Sequence, residues 1–178
     1  MVGADFERRG ALLDEAIDGI AAGLSEEFPT LAGPVWPASD LGVSPRPVQQ
    51  PRPPIWVGGS SMPALRRAAA RGDGWLPQTP KRSDMAVLVP KLLAMREELR
   101  PGEPLAVGAL AGPMHLGPAA GELPRGTLSG GPEELADSLR DWASLGVSHA
   151  QVRFPSRSAD ELCDQIAAFG EQVLPLLP

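Results

Sequence analysis

Ile55-Trp56-Val57-Gly58-Gly59-Ser60-Ser61-Met62-Pro63-Ala64-Leu65 compresses a strand, a turn and a helix start into one run. Three apolar residues end at a pair of glycines, which is how a short buried strand stops. Ser61 or Met62 then precedes Pro63, a residue suited to the first helical turn because it has no N–H to leave unpaired. Leu65, Ala68 and Ala69 form the apolar face of the helix, and Gly72 is read as the residue just past its end. A strand feeding a helix through a glycine turn also suits an anion. The backbone can come close, and the helix start offers unpaired N–H groups and a positive dipole end. That dipole contributes only about 0.3–1 kcal/mol at an exposed site. Hydroxyls at Ser60 and Ser61 and a nearby cation would add to it. The basic cluster Arg66, Arg67, Arg71, Lys81 and Arg82 is the local source of positive charge.

Working outward, the same alternation repeats. Asp73-Gly74-Trp75-Leu76 reads as the next strand, followed by a turn at Pro77-Gln78-Thr79-Pro80. A helix capped by Ser83 extends to about Arg100 and is kinked by Pro90, or starts later. Leu105 to Leu110 is a third strand, and Gly112 to Gly126 an irregular excursion carrying His115. Pro132 opens a helix with Glu133 and Glu134 in its first turn, where the dipole favours acids. Gly146 ends it. Ala150 to Phe154 is the fourth strand. Ser158 and Glu161 make a capping box for a last helix with the apolar stripe Leu162, Ile166, Phe169, Val173. Before all of this, Leu12, Leu13, Ala16, Ile17, Ile20, Ala21 and Leu24 share one face of a helix from about Glu7 to Leu24. Between that helix and Ile55, residues 28–54 carry Pro29, Pro34, Pro37, Pro45, Pro47, Pro51, Pro53 and Pro54. No regular element runs through such a stretch, which reads as an extended loop covering the body of the domain. The expectation is an α/β chain, one N-terminal helix plus four βα units with a parallel sheet, over 178 residues as a single domain.

Composition narrows the function. The net charge of −6 and the absence of a long basic run argue against nucleic acid. Cys163 is the only cysteine, so neither an internal disulfide nor a cysteine metal cluster is available, and no metal site is expected. No leader-like start and no apolar run of about 18 residues appear, so a cytoplasmic protein without a membrane span is expected. His115 is a candidate general acid. His149, Cys163 and the four tryptophans Trp36, Trp56, Trp75 and Trp142 read as structural.

The run from Arg46-Pro47-Val48-Gln49-Gln50-Pro51-Arg52-Pro53-Pro54 through Ser61, then Leu65-Arg66-Arg67-Ala68-Ala69 and Gly72-Asp73-Gly74-Trp75, resembles the luciferase-like monooxygenases, in particular their deazaflavin-dependent members. Phe6 to Gly10 with Leu13 to Ala16, and Gly130 to Leu135 with Gly146-Val147 and Val173 to Pro175, carry the likeness over nearly the whole chain. The resemblance implies a partial TIM barrel, the C-terminal half of a (β/α)8 barrel. It implies FMN or the deazaflavin coenzyme F-420 as cofactor, with Gly58, Gly59, Ser60 and Ser61 at its phosphate end and Gln78, Thr79 and Lys81 contributing from the next loop. It implies hydride transfer or monooxygenation of a small organic substrate. The family's first four strands have no counterpart in the sequence, so no catalytic residue is carried over. A non-catalytic remnant that binds a cofactor or a partner is the alternative. An open parallel edge calls for self-association into a homo-oligomer or for a complementary N-terminal half-barrel chain.

Overall fold

The computed structural model describes residues 5–78 and 81–178. In chain order the elements are α1 (Arg9–Ser25), β1 (Trp56–Val57), α2 (Met62–Arg71), β2 (Gly74–Trp75), α3 (Arg82–Leu99), β3 (Ala106–Leu116), β4 (Leu128–Gly130), α4 (Pro132–Ser144), β5 (His149–Arg153) and α5 (Ala159–Gln172), with a short 3-10 turn at Leu174–Leu176. They gather into two compact units. The first runs through Trp75 and resumes over Lys91–Leu105; the second joins Leu76–Pro90 to Ala106–Pro178.

In the first unit β1 and β2 pair in parallel, Trp56 with Gly74 and Val57 with Trp75. The α2 helix connects them and buries Leu65, Ala68 and Ala69 completely. Its start is as the sequence implies, with Ser61 as N-cap and Pro63 in the first turn. Gly72 lies just past its end, as expected. Gly72 is not in the left-handed region but extended, at φ −85°. Glycine is needed there for space, since a Cβ would stand 2.9 Å from the Ala68 carbonyl oxygen and 3.2 Å from Val57. Helix α1 is tied to α2 by Arg67, which donates to Asp14 at 2.5 Å and to the Gly10 carbonyl at 3.1 Å, and by Arg71, which meets Asp18 at 3.0 Å. Residues 28–54 hold no regular element beyond an isolated bridge between Leu31 and Ala38. The Glu15 carboxylate fastens this stretch to α1 by accepting the Val35 and Trp36 N–H groups at 2.8 and 2.9 Å.

Arg96, on the last turns of α3, is 4% exposed. Its guanidinium donates to four main-chain carbonyls: Ala69 and Gly72 at the end of α2, and Glu103 and Pro104 beyond α3. Carbonyls at a helix C-terminus are left without intrahelical donors and carry partial negative charge, so a buried cation is well placed there. Burial lowers the Arg96 pKa, the nearby Arg100 lowers it further, and Glu103 and Asp73 oppose this; an arginine keeps its charge regardless.

In the second unit β3 is central, paired in parallel with β4 and with β5. Met114 and Leu116 of β3 pack with Leu135, Ala136 and Leu139 of α4 and with Val173; Val152, Phe154 and Phe169 close around them. The Phe154 and Phe169 rings meet edge to face at 5.2 Å. The α4 helix begins at Pro132 as expected, and Gly146, at φ +86°, follows its end.

Two expectations are corrected here. The third strand extends to Leu116, so the supposed excursion from Gly112 to Gly126 opens with its second half, and an extra strand, β4, follows it at Leu128–Gly130. Gly112, Pro113 and Gly117 disguise the third strand. Gly112 has φ +95° and sits where the β3–β5 register shifts, and a proline is tolerated beside such a bulge. Helix α3 also runs unbroken from Arg82 through Pro90, so Ser83 is not its cap. Asp84 accepts the Lys81 N–H instead, at 2.9 Å.

Arg96→Met keeps much of the volume but leaves four carbonyls without their donor. Chemical denaturation should show a loss of about 3 kcal/mol for this variant. A change below about 1 kcal/mol would mean that Arg96 is not a structural clamp.

Candidate functional site

Of the seven sequence-predicted site residues, the structure brings Gly58, Gly59, Ser60 and Ser61 together in one turn between β1 and α2. Gly59 has φ +91°, and a Cβ on it would lie 3.0 Å from Ala64 Cβ. Both the dihedral and the close approach call for glycine. Ser61 Oγ accepts the Ala64 N–H at 3.4 Å and its carbonyl accepts the Leu65 N–H at 3.0 Å. Ser61 therefore caps the helix. Ser60, half-buried, makes no hydrogen bond to another described residue.

What fixes this turn is the Gly72-Asp73-Gly74-Trp75 stretch. Trp75 is fully buried, and its Nε1–H donates to the Gly59 carbonyl at 2.8 Å, pinning the turn from below. Gly74 lies beneath the Trp56 indole; a Cβ there would be 2.5 Å from the ring. The Asp73 carboxylate accepts from Arg52 at 2.5 Å and from the Ile55 N–H at 2.7 Å, while the Asp73 N–H returns to the Ile55 carbonyl at 2.8 Å. This reciprocal junction sets the end of the Pro-rich stretch against the start of β2. Burial pushes the Asp73 carboxyl up, but the hydrogen bonds from Arg52 and Ile55, with the charges of Arg52 and Arg100, outweigh it and hold the group below its ordinary value.

Gln78 and Lys81 belong to the second unit, where both are exposed. Thr79 lies outside the described residues. The basic cluster is largely committed elsewhere: Arg67 to Asp14, Arg71 to Asp18, and Arg82 to Asp141 at 2.8 Å with its guanidinium 4.9 Å over the Trp142 ring. Arg66 and Lys81 are the members without such an ion pair among the described residues.

His115 is not in an open loop. It stands on β3, 3% exposed, with Nδ1 3.3 Å from the Gly117 carbonyl and Ser129 as its β4 neighbour. Beside it Gln165 of α5 grips Leu116 at both main-chain groups, accepting its N–H at 2.8 Å and donating to its carbonyl at 3.1 Å. The capping box of α5 is half formed. Ser158 accepts the Glu161 N–H, but the Glu161 carboxylate turns to the Arg157 N–H and guanidinium, which lower its pKa. His149 opens β5, with Nδ1 2.9 Å from Ser148 Oγ. Cys163 is exposed rather than packed, and Ile166 of the α5 stripe is 53% exposed. Among the described residues no group of His, Cys, Asp or Glu could hold a metal ion, and no helix is long and apolar enough to cross a membrane.

The profile of the luciferase-like monooxygenase family matches residues 1–123, a span that contains α1, the turn and the Gly-Asp-Gly-Trp junction. The chain belongs to this family. An uncharacterized protein of Mycobacterium tuberculosis is 28% identical over 111 residues, which is 62% of this chain and 38% of that protein. Among solved structures, the coenzyme F-420-dependent tetrahydromethanopterin reductase of Methanopyrus kandleri superposes with a TM-score of 0.72 at 16% identity, over 95% of this chain and 64% of that one. A riboflavin lyase solved with modified FMN and riboflavin gives 0.73 at 11% identity, over 97% and 58%. At such identities the likeness establishes the fold, a parallel α/β partial barrel, and the chain spans less than two thirds of each neighbour.

The sequence singles out the turn but not the groups that fix it and its base, Trp75 at the turn and Arg52 and Asp73 at the strand starts. The signal was present, since Asp73 and Trp75 lie in the family stretch, yet sequence spacing does not say which carbonyl or amide a side chain will reach.

The lowered pKa gives the junction a pH signature. A carboxyl whose native pKa is depressed stabilises fully above its unfolded value near ~3.9 and loses that contribution as pH falls through the native value. Asp73→Asn should therefore be less stable than wild type by an amount constant above about pH 5 that shrinks below about pH 4. A gap independent of pH would show that the Asp73 charge is not what matters.

Proposed function

We propose that the Gly58-Gly59-Ser60-Ser61 turn receives the phosphate end of a flavin-type cofactor, F-420 or FMN, with Gln78, Thr79 and Lys81 contributing from the following loop. The protein then acts as an oxidoreductase on a small organic substrate, by hydride transfer or monooxygenation. The carrying observation is the turn itself. Its conformation disfavours a Cβ at Gly59, its Ser60 makes no hydrogen bond to another described residue, and Trp75 and Asp73 hold it in place. Such a turn fits an anionic group, because glycine admits close backbone approach and the helix dipole favours negative charge. The family's cofactor chemistry and the cofactors named for the solved neighbours support the identity of that anion.

The residues present fit binding and orientation. When bound, such a cofactor supplies the redox step, accepting or donating a hydride at its ring, and the protein's part is to hold and aim it. Gly59 gives the close approach, Ser60 offers a hydroxyl and Ser61 keeps the helix start formed. Trp75 acts through Gly59 as a positioning residue. A cofactor-binding chain without turnover is the second reading, since the residues of the turn can bind and orient but include no acid or base.

Fluorescence titration with F-420 and with FMN tests this. Binding to one of them is expected, weakened at least tenfold by Gly59→Val and about threefold by Trp75→Phe, with unchanged circular dichroism. Absence of binding to both removes the cofactor reading. Binding that Gly59→Val leaves intact moves the phosphate away from this turn. Binding without substrate-dependent oxidation or reduction selects the second reading.

A further inference from the structure

Helix α1 and the Pro-rich stretch enclose a half-open cavity of about 680 Å³, walled by Ile20, Leu24, Leu31, Trp36 and Val43. All of it belongs to the first unit, and none of its residues is in the Gly58–Ser61 turn. Ile20, Trp36 and Val43 are 53%, 47% and 42% exposed, so the wall is apolar surface within reach of a ligand. A concave apolar space of roughly 300–1,000 Å³ with a few placed polar groups is the common form of a small-molecule site.

Charge gives this cavity a chemical preference. The charged groups that line it are two carboxylates, Glu15 and Asp18, with no base. Asp18 is already matched, because Arg71 Nε lies 3.0 and 3.1 Å from its two oxygens. Glu15 is not. Its Oε1 accepts the Val35 and Trp36 N–H groups at 2.8 and 2.9 Å. Its Oε2 has no hydrogen bond, and the carboxylate has no ion pair, among the described residues. A Cβ on Gly33 would collide with this carboxylate, so the chain lies directly over it and holds it at the wall. A half-buried carboxylate among apolar side chains lacks both full hydration and a counter-charge. An ammonium carried on an apolar skeleton supplies the counter-charge through a charge-assisted hydrogen bond, and the neighbouring indole face adds its attraction for a cation.

We infer that this cavity is a second ligand site, which takes a protonated amine on a compact aliphatic or aromatic skeleton. The skeleton lies against Ile20, Leu24, Leu31 and Val43, and the ammonium donates to Glu15 Oε2 beside Trp36. Carboxylates and phosphates are refused, since no cation lines the cavity to meet them. The cavity and the glycine turn therefore select ligands of opposite charge.

Isothermal titration calorimetry with adamantylamine, adamantanol and adamantane carboxylate presents one apolar cage in three charge states. The amine should bind at least tenfold tighter than the alcohol, and the carboxylate at least tenfold more weakly than the alcohol. Glu15→Gln keeps an oxygen that can accept the Val35 and Trp36 N–H groups but removes the charge. It should bring the amine down to the affinity of the alcohol and leave the alcohol unchanged. Trp36→Ala should weaken both, the amine more. F-420 and FMN titrations should be the same in both variants as in the wild type, so this site and the cofactor turn stand or fall separately. No binding of the amine to the wild-type protein overturns the inference, as do equal affinities for the three probes. A preference for the amine that survives Glu15→Gln overturns it as well.

Discussion

The Asp73 carboxylate carries the first unit. It receives the Arg52 guanidinium and the Ile55 N–H, and its own N–H returns to Ile55. β1 and β2 are only two residues long each, too short to hold themselves in register by a ladder. A charge-assisted junction at their base substitutes for ladder length. Arg96 reinforces it from the other side by collecting the carbonyls at the end of α2, next to Gly72. The four residues from Gly72 to Trp75 thus each have a mechanical task. Two glycines make room, for a carbonyl and for the Trp56 ring. Asp73 fixes the strand start, and Trp75 fixes the turn.

The second unit is built on different terms. Its stability comes from one apolar cluster between β3, α4 and Val173, sealed by Phe154 and Phe169. β3 reaches that cluster only because its far half returns to strand geometry after the bulge at Gly112. Gln165 then completes the strand end, offering Leu116 the donor and acceptor that a neighbouring strand would. His115, read from sequence as a loop acid, is one residue from this clamp and almost inaccessible. Its neighbours make it a strand residue first.

On the proposed reading, the strand–turn–helix with free N–H groups at a glycine positions a ligand without performing chemistry. That division suits a family in which the cofactor carries the redox step.

The sequence by itself determined the succession of elements except β4, the family, and the glycine turn with its capping serine. These rest on local rules: period, capping, the absence of an N–H in proline and of a Cβ in glycine. At Gly72 it found a residue that has to be glycine for a steric reason, not a dihedral one. It misjudged the length of β3 and the cap of α3, because a proline inside an element is tolerated only when the surroundings supply what it removes. Only the tertiary structure decided where the charged side chains go. Arg67 and Arg71, part of the local positive cluster in the sequence, are spent on Asp14 and Asp18. Arg96 passes for a solvated helix residue and is buried under four carbonyls. The reach of a long side chain across tens of residues depends on how the helices pack, and packing is not a local property of the chain.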